Sequence, residues 1–429
     1  MDNEFGKLSI EKLCKQLQTN ILPLNVYIDA TLKHIELREP IIHALLPEPK
    51  RKDRLHHEAY ELLAKYPLPD NRPPLFGLLV GVKDLFNVNG LPTRAGSKLP
   101  AEAFYGEEAA VVTKLKELGA LVLGKTVSTE FAYFSPGETC NPVNPSHTPG
   151  GSSSGSAAAV AAGYCHLALG TQTIASVIRP ASYCGVYGFK PSWGRISTQG
   201  VFPFSQSADH IGYFCNTLED IGFLIRCLLE DYQTTEAPPV QSIGSVRGEY
   251  LMQATERIRA NYQRAAKQLT DRGISIVEID PFPNIEEINT NHRKLIAADF
   301  AINHKELYEA YSELYSPHSK ELYQLGLQVT KRELIELQEK QMELRNKIVK
   351  LMKEKNISAW ITPSTTSTAP FGLASTGSPL MSLPWTNAGL PSITIPSGAD
   401  EGGLPYGLQI IGSWLQDEYL IDIAKHLAF

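Results

Sequence analysis

The chain has 429 residues, 43% hydrophobic and 20% charged, with a formal net charge of −6 at pH 7. This mildly acidic balance excludes a basic footprint for nucleic acid and a polybasic patch for a membrane surface, and no uninterrupted apolar run approaches the ~20 residues of a membrane span. The length suits one large α/β domain or two lobes.

Apolar side chains recur near helical spacing at Leu8, Ile10, Leu13 and Leu17, then at Val26, Ile28, Leu32 and Ile35, which predicts two amphipathic helices over residues 8–46. Helix is expected to continue from His43 to Pro69, making residues 1–66 an N-terminal helical segment. Leu78 to Val82 predicts a short buried strand, ended by Lys83. Ala109 to Leu118 predicts a helix and Ala120 to Leu123 a strand. Residues 135–155 are rich in Gly, Pro, Ser and Asn, the composition of a long ordered loop or a site. The alanine-rich stretch Ser156 to Gly163 predicts a helix after that loop. Ile243 to Arg247, Gln253 to Leu269 and Ile274 to Ile279 predict a βαβ unit. Residues 285–355 are helical and charged, and are expected to form a cap over the core. Further strands are expected at 358–362, 392–395 and Tyr406 to Ile411. The expected fold is α/β, one domain over residues 1–429, with a large mixed sheet covered by helices on both faces.

Cys14, Cys140, Cys165, Cys184, Cys215 and Cys227 form no Cys-x-x-Cys pair, and the histidines show no metal spacing. Met1-Asp2-Asn3-Glu4 lacks the basic-then-apolar pattern of a secretion signal, so a cytoplasmic location is expected.

Two standard motifs match by letter and fail on context. Gly119-Ala120-Leu121-Val122-Leu123-Gly124-Lys125-Thr126 fits the phosphate-loop pattern, but its middle residues predict a buried strand instead of a turn with exposed N–H groups. Gly151-Ser152-Ser153-Ser154-Gly155 fits the nucleophile elbow with Ser153 at its centre. The residues before it, Asn144-Pro145-Ser146-His147-Thr148-Pro149, cannot be a central strand. A different set is more telling: Ser152 and Ser176 lie 24 positions apart, and Lys83 ends an apolar strand upstream. Two serines and a lysine supply a nucleophile and a base without histidine, provided that burial lowers the pKa of the amine. A second hydroxyl can relay the proton, since it both donates and accepts.

The arrangement resembles the amidase signature family. The residues that carry the likeness are Gly150-Gly151-Ser152-Ser153-Ser154-Gly155-Ser156-Ala157, then Gly170-Thr171-Gln172-Thr173-Ile174-Ala175-Ser176, then Arg179-Pro180-Ala181-Ser182 and Gly188-Phe189-Lys190-Pro191. Gly81-Val82-Lys83-Asp84, Gly124-Lys125-Thr126, Glu130-Phe131-Ala132 and Asn387-Ala388-Gly389-Leu390-Pro391-Ser392 add to it. The resemblance implies a Ser–cis-Ser–Lys triad: Ser176 as nucleophile, Ser152 as the bridging serine on a cis peptide after Gly151, and Lys83 as base. It implies an oxyanion hole from the backbone of Thr173, Ile174, Ala175 and Ser176, and no metal or organic cofactor.

Three departures stand out. Gln172 replaces the family's usual aspartate, Ile174-Ala175 replaces Gly-Gly, and Arg179 follows Ser176 by three residues where many relatives have two. Ile and Ala resist positive φ and add bulk, so a reshaped pocket is expected. Lys125 is expected to be a surface or structural lysine, and Asp84 a structural carboxylate. Phe131, Tyr133, Phe134, Phe202 and Phe204 suit an apolar acyl pocket or ordinary core packing.

The expected function is hydrolysis of a linear carboxamide through a serine acyl-enzyme, with side activity on esters or carbamates. The expected partner is a small-molecule amide, with no nucleic acid or membrane and with a homodimer allowed. Two alternatives stand beside it. One is the glutaminase subunit of a tRNA-dependent amidotransferase. The other is a weak or inactive member that acts as a binding protein.

Overall fold

The computed structural model describes residues 8–229, 231–233, 240 and 242–428. The Met1–Glu4 stretch considered above lies outside them. Among the described residues, one sheet holds ten strands: β1 (Leu79–Lys83), β2 (Leu121–Thr126), β3 (Leu167–Gln172), β4 (Tyr187–Lys190), β5 (His210–Cys215), β6 (Ser242–Val246), β7 (Ser275–Ile279), β8 (Ala359–Pro363), β9 (Ser392–Ala399) and β10 (Pro405–Ile411). Their order is β2-β1-β3-β5-β4-β9-β10-β8-β6-β7. The sheet is mixed. β2, β1 and β3 run parallel at one side, β8, β6 and β7 run parallel at the other, and antiparallel pairs fill the middle. Helices flank it.

Every residue of β1, β2 and β3 is buried. Strands covered on both faces lose the apolar–polar alternation of a half-exposed strand. β1 and β2 still show short apolar runs and are predicted, whereas β3, β4 and β5 go unrecognised in the sequence. β3 is Leu-Ala-Leu-Gly-Thr-Gln, β4 Tyr-Gly-Phe-Lys and β5 His-Ile-Gly-Tyr-Phe-Cys, each interrupted by glycine. In β3 the glycine has a packing reason: a Cβ on Gly170 would lie 2.8 Å from Ser153 Oγ.

The two N-terminal helices form at Ile10–Gln18 and Leu24–Ile42. The third spans only Arg51–Lys65 and does not begin at His43. His43 turns into the left-handed region at φ 52°, and the chain then pairs with β2 through a Leu45–Thr126 bridge. Glu39 stabilises that exit, because its carboxylate accepts from the N–H groups of Ala44 and Leu45 at 3.1 and 2.6 Å. The 285–355 region is helical at Ile285–Asn303, Lys305–Tyr311, Pro317–Leu327 and Lys331–Glu354. It is fastened to the sheet side by buried carboxylates. Asp299 accepts from Ser205 Oγ at 2.6 Å, and Glu130 accepts from Ser316 N at 3.0 Å and from Ser319 Oγ at 2.7 Å. No described helix is long and apolar enough to cross a membrane.

Candidate active site

The three parallel strands β2, β1 and β3 end side by side, in Thr126, Lys83 and Gln172. The chain leaving their carboxyl ends builds the site, as is usual for open α/β sheets. Segment 127–153 follows β2, and the turn Thr173–Val177 follows β3.

Lys83 is completely buried, and its Nζ donates to Ser152 Oγ and to Thr171 Oγ1, each at 2.7 Å. Burial drives the amine well below its ordinary value near 10.5, against the opposing pull of the Asp209 carboxylate. The peptide bond Gly151–Ser152 is cis. Around it the backbone is tightly packed. A Cβ on Gly151 would lie 2.7 Å from Thr376 Cγ2, and Gly150 sits at φ 83°, where glycine is favoured.

The neighbouring serines are occupied elsewhere. Ser153 Oγ donates to the Thr171 carbonyl at 3.2 Å and accepts from the Thr171 N–H at 3.3 Å, welding the serine loop to β3. Ser154 Oγ donates to the Gly150 carbonyl at 2.8 Å and Ser156 Oγ to the Leu169 carbonyl at 2.8 Å. The helix after the loop starts at Ser154, two residues earlier than the alanine run suggested.

Ser176 lies in the turn between β3 and the helix Ile178–Cys184 and is 6% exposed. Among the described residues, no hydrogen bond joins Ser176 to Ser152 or Lys83. What ties the two halves together is Arg179. Its guanidinium donates to the Gly151 carbonyl at 2.7 Å, to Thr376 Oγ1 at 3.2 Å and to the Gly377 carbonyl. Burial lowers this guanidinium to about 10. The displaced arginine therefore fastens the serine loop and the 376–377 segment to the helix that follows Ser176.

The turn itself is held through its carbonyls. The Thr173 carbonyl is 3.0 Å from His292 Nε2, the Ile174 carbonyl accepts from Thr386 Oγ1 at 2.7 Å, and the Ala175 carbonyl accepts from Arg179 N at 3.0 Å. In a trans peptide the next residue's N–H points away from the carbonyl. The N–H groups of Ile174, Ala175 and Ser176 each point away from the bound carbonyl of their own peptide, and among the described residues none donates to a protein acceptor. Gln172 fixes the end of the turn. Its Oε1 accepts from Val177 N at 2.8 Å and Ile178 N at 3.0 Å, while its Nε2 donates to Thr386 Oγ1 at 2.9 Å. A glutamine can thus hold this loop by accepting on one side and donating on the other.

A profile of the family described as Amidase matches residues 28–421. The chain belongs to the amidase family. Its relatives include the A subunit of glutamyl-tRNA(Gln) amidotransferase from Synechococcus sp. (strain WH7803), 29% identical over 97% of this chain and 96% of that protein. Its counterpart from Trichormus variabilis is 30% identical over 97% and 96%. Among solved structures, an amidase superposes with a TM-score of 0.87 at 28% identity, covering 97% of this chain and 98% of its own. A peptide amidase in complex with chymostatin superposes at 0.84 and 24% identity, covering 99% and 97%, which speaks to the fold alone.

Several groups at the candidate site of this amidase-family chain carry little or no sequence signal. Thr171 was legible only as part of the Gly-Thr motif, yet it is the second ligand of the lysine. Asp209 accepts from Thr173 Oγ1 at 2.5 Å and from the N–H groups of Phe204 and Ser205, and burial raises its carboxyl to about 6. His292 lies 119 residues from Thr173 in the chain. A cavity of about 420 Å³ has Thr171, Asp209, Phe202 and Phe204 in its wall. Phe131 is instead core, packed edge-on or tilted against His304, Tyr315 and Phe202.

Lys125 is not at the surface. Its Nζ lies 3.0 Å from Asp84 Oδ1 in a pair whose side chains are 4% and 1% exposed. Burial pushes the carboxyl up and the amine down, and their mutual attraction only partly opposes this. Removing one partner of such a pair strands the other, so Asp84→Ala should cost about 3–5 kcal/mol in urea unfolding. The double variant Asp84→Leu/Lys125→Met should recover most of that. Equal losses in the two variants would refute the pairing argument.

Proposed function

We propose that the protein is an amidohydrolase that cleaves a small-molecule carboxamide through a serine acyl-enzyme. The observation that carries this reading is the turn Thr173–Ser176, whose Thr173, Ile174 and Ala175 carbonyls are bound and whose N–H groups, among the described residues, meet no protein acceptor. Such preorganised donors stabilise the oxyanion of a tetrahedral intermediate. Ile174 and Ala175 do not spoil it, because the donors belong to the backbone.

In this reading Ser176 Oγ attacks the amide carbonyl. Ser152 takes its proton and passes its own to neutral Lys83 along the 2.7 Å contact. The proton returns to the leaving ammonia or amine, and water cleaves the acyl-enzyme by the same relay. Thr171 holds the amine in place. We take the chain as one domain with the 285–355 helices as its cap, and we place it in the cytoplasm, where its six unpaired cysteines suit a reducing compartment.

The test is a fluorophosphonate probe followed by peptide mass spectrometry, beside a panel of primary amides, anilides, esters and carbamates. Label on Ser176 with amide turnover supports the proposal. A protein that neither labels nor turns over any of the panel is a binding protein, and the proposal fails. A second reading is favoured by the relatives named as amidotransferase subunits: glutamine would be the amide, and the ammonia would be handed on. Turnover of glutamine alone from the panel would favour it.

A further inference from the structure

The helix Ile285–Asn303 enters the site from a distant part of the chain and contributes one side chain to the oxyanion turn. We propose that His292 is a positioning residue for catalysis: by holding the Thr173 carbonyl it aims the Ile174 N–H at the developing oxyanion. This makes the competence of the site depend on the docking of the helical block, and it rests on the reading of Thr173–Ser176 as an oxyanion hole.

The geometry is specific. His292 is fully buried, its Nε2 is 3.0 Å from the Thr173 carbonyl oxygen, and its Nδ1 is 3.1 Å from Oδ1 of Asn387. A carbonyl can only accept, so the ring N–H is on Nε2. Burial favours the neutral ring, which carries one N–H. Nδ1 is then an acceptor, and the Asn387 amide turned to present its nitrogen completes the chain. Asn387 directly follows Thr386, whose hydroxyl holds the next carbonyl, that of Ile174. Two successive peptide planes of the turn are thus set by adjacent residues, one directly and one through the imidazole. The Thr173 side chain is fixed separately by Asp209, so rotation of the peptide plane between Thr173 and Ile174 is the freedom that His292 removes.

The inference is tested by the second-order rate of fluorophosphonate labelling of Ser176 and by kcat and KM for the best panel amide, with thermal unfolding to count folded molecules. His292→Leu should slow labelling about 10²-fold and lower kcat similarly, with KM within about threefold, since one oxyanion donor is misdirected. His292→Gln can still donate to the carbonyl and should stay within about tenfold of the parent. If His292→Leu does not fold, Asn387→Ala gives the same test through the ring's second partner, with an expected kcat loss of about tenfold at unchanged KM. Labelling and kcat equal to the parent, per folded molecule, in both His292→Leu and Asn387→Ala would overturn the inference while leaving the proposed function standing. A parent protein that does not label would overturn the proposed function, and this inference with it.

Discussion

Ser176→Ala is expected to remove amide turnover and fluorophosphonate labelling, with a loss of about 10⁴-fold or more. The side chain is small and sits in a turn held by the carbonyls of Thr173, Ile174 and Ala175. Those contacts are all to backbone, so the variant should keep its fold and its unfolding midpoint within about 0.5 kcal/mol of the parent. Folded protein without turnover is the diagnostic combination. Undiminished hydrolysis by Ser176→Ala would move the nucleophile elsewhere. The obvious candidate would be Ser153, which the tempting Gly-x-Ser-x-Gly pattern picks out but whose hydroxyl is bonded to both backbone groups of Thr171.

Lys83→Met should lower kcat by about 10²- to 10⁴-fold, the usual contribution of a general base. Its effect on stability carries an independent sign. The amine is lowered in the folded protein by burial, whereas the unfolded chain returns it to about 10.5. Between the two values the unfolded state binds more protons, so this group's contribution to stability rises with pH and levels off above about 10.5. Below the folded value the penalty of burying the charge is fully present. The variant lacks that penalty. The stability difference between Lys83→Met and the parent should therefore shift in the variant's favour as pH falls from 10 towards 6, measured by urea unfolding at each pH. A pH-independent difference would mean that the amine is not perturbed. The same lowering predicts that turnover rises with pH and reaches a plateau as Lys83 loses its proton.

Much of the candidate site was legible in the chain itself. The spacing of the Gly-Ser and Gly-Thr motifs singled out Ser152 and Ser176, and an apolar run ending in lysine singled out Lys83. These are local patterns, because each residue's neighbours in the chain form the strand end or turn that presents it. The βαβ unit Ser242–Ile279 and the helical block were legible for the same reason, with hydrophobic periodicity over a dozen or more residues. The helix ends were not. The start of the third helix shifted from His43 to Arg51 because Glu39 and the pairing of Leu45 with β2 govern the chain there.

The central strands were hidden by their own burial. β3 and β5 have both faces covered, and glycines let neighbouring side chains come close, so neither shows alternation. Whether Lys125 was a surface or a structural lysine stayed open in the sequence because its partner, Asp84, lies 41 positions earlier, and a buried ion pair leaves no mark on local composition. Arg179 could not be given a role from its shifted place alone, since its acceptors are carbonyls at 151 and 377.

By itself the sequence determined the candidate chemistry: which serines and which lysine to consider, presented by which local turns. Only the tertiary structure decided how that chemistry is set. Burial of Lys83 among neighbouring strand ends, Thr171 beside it, and the grip of Gln172, Thr386 and His292 on one short turn all join distant parts of the chain. The proton affinity of an amine and the direction of a backbone N–H depend on what surrounds them in space, and folding alone brings those surroundings together.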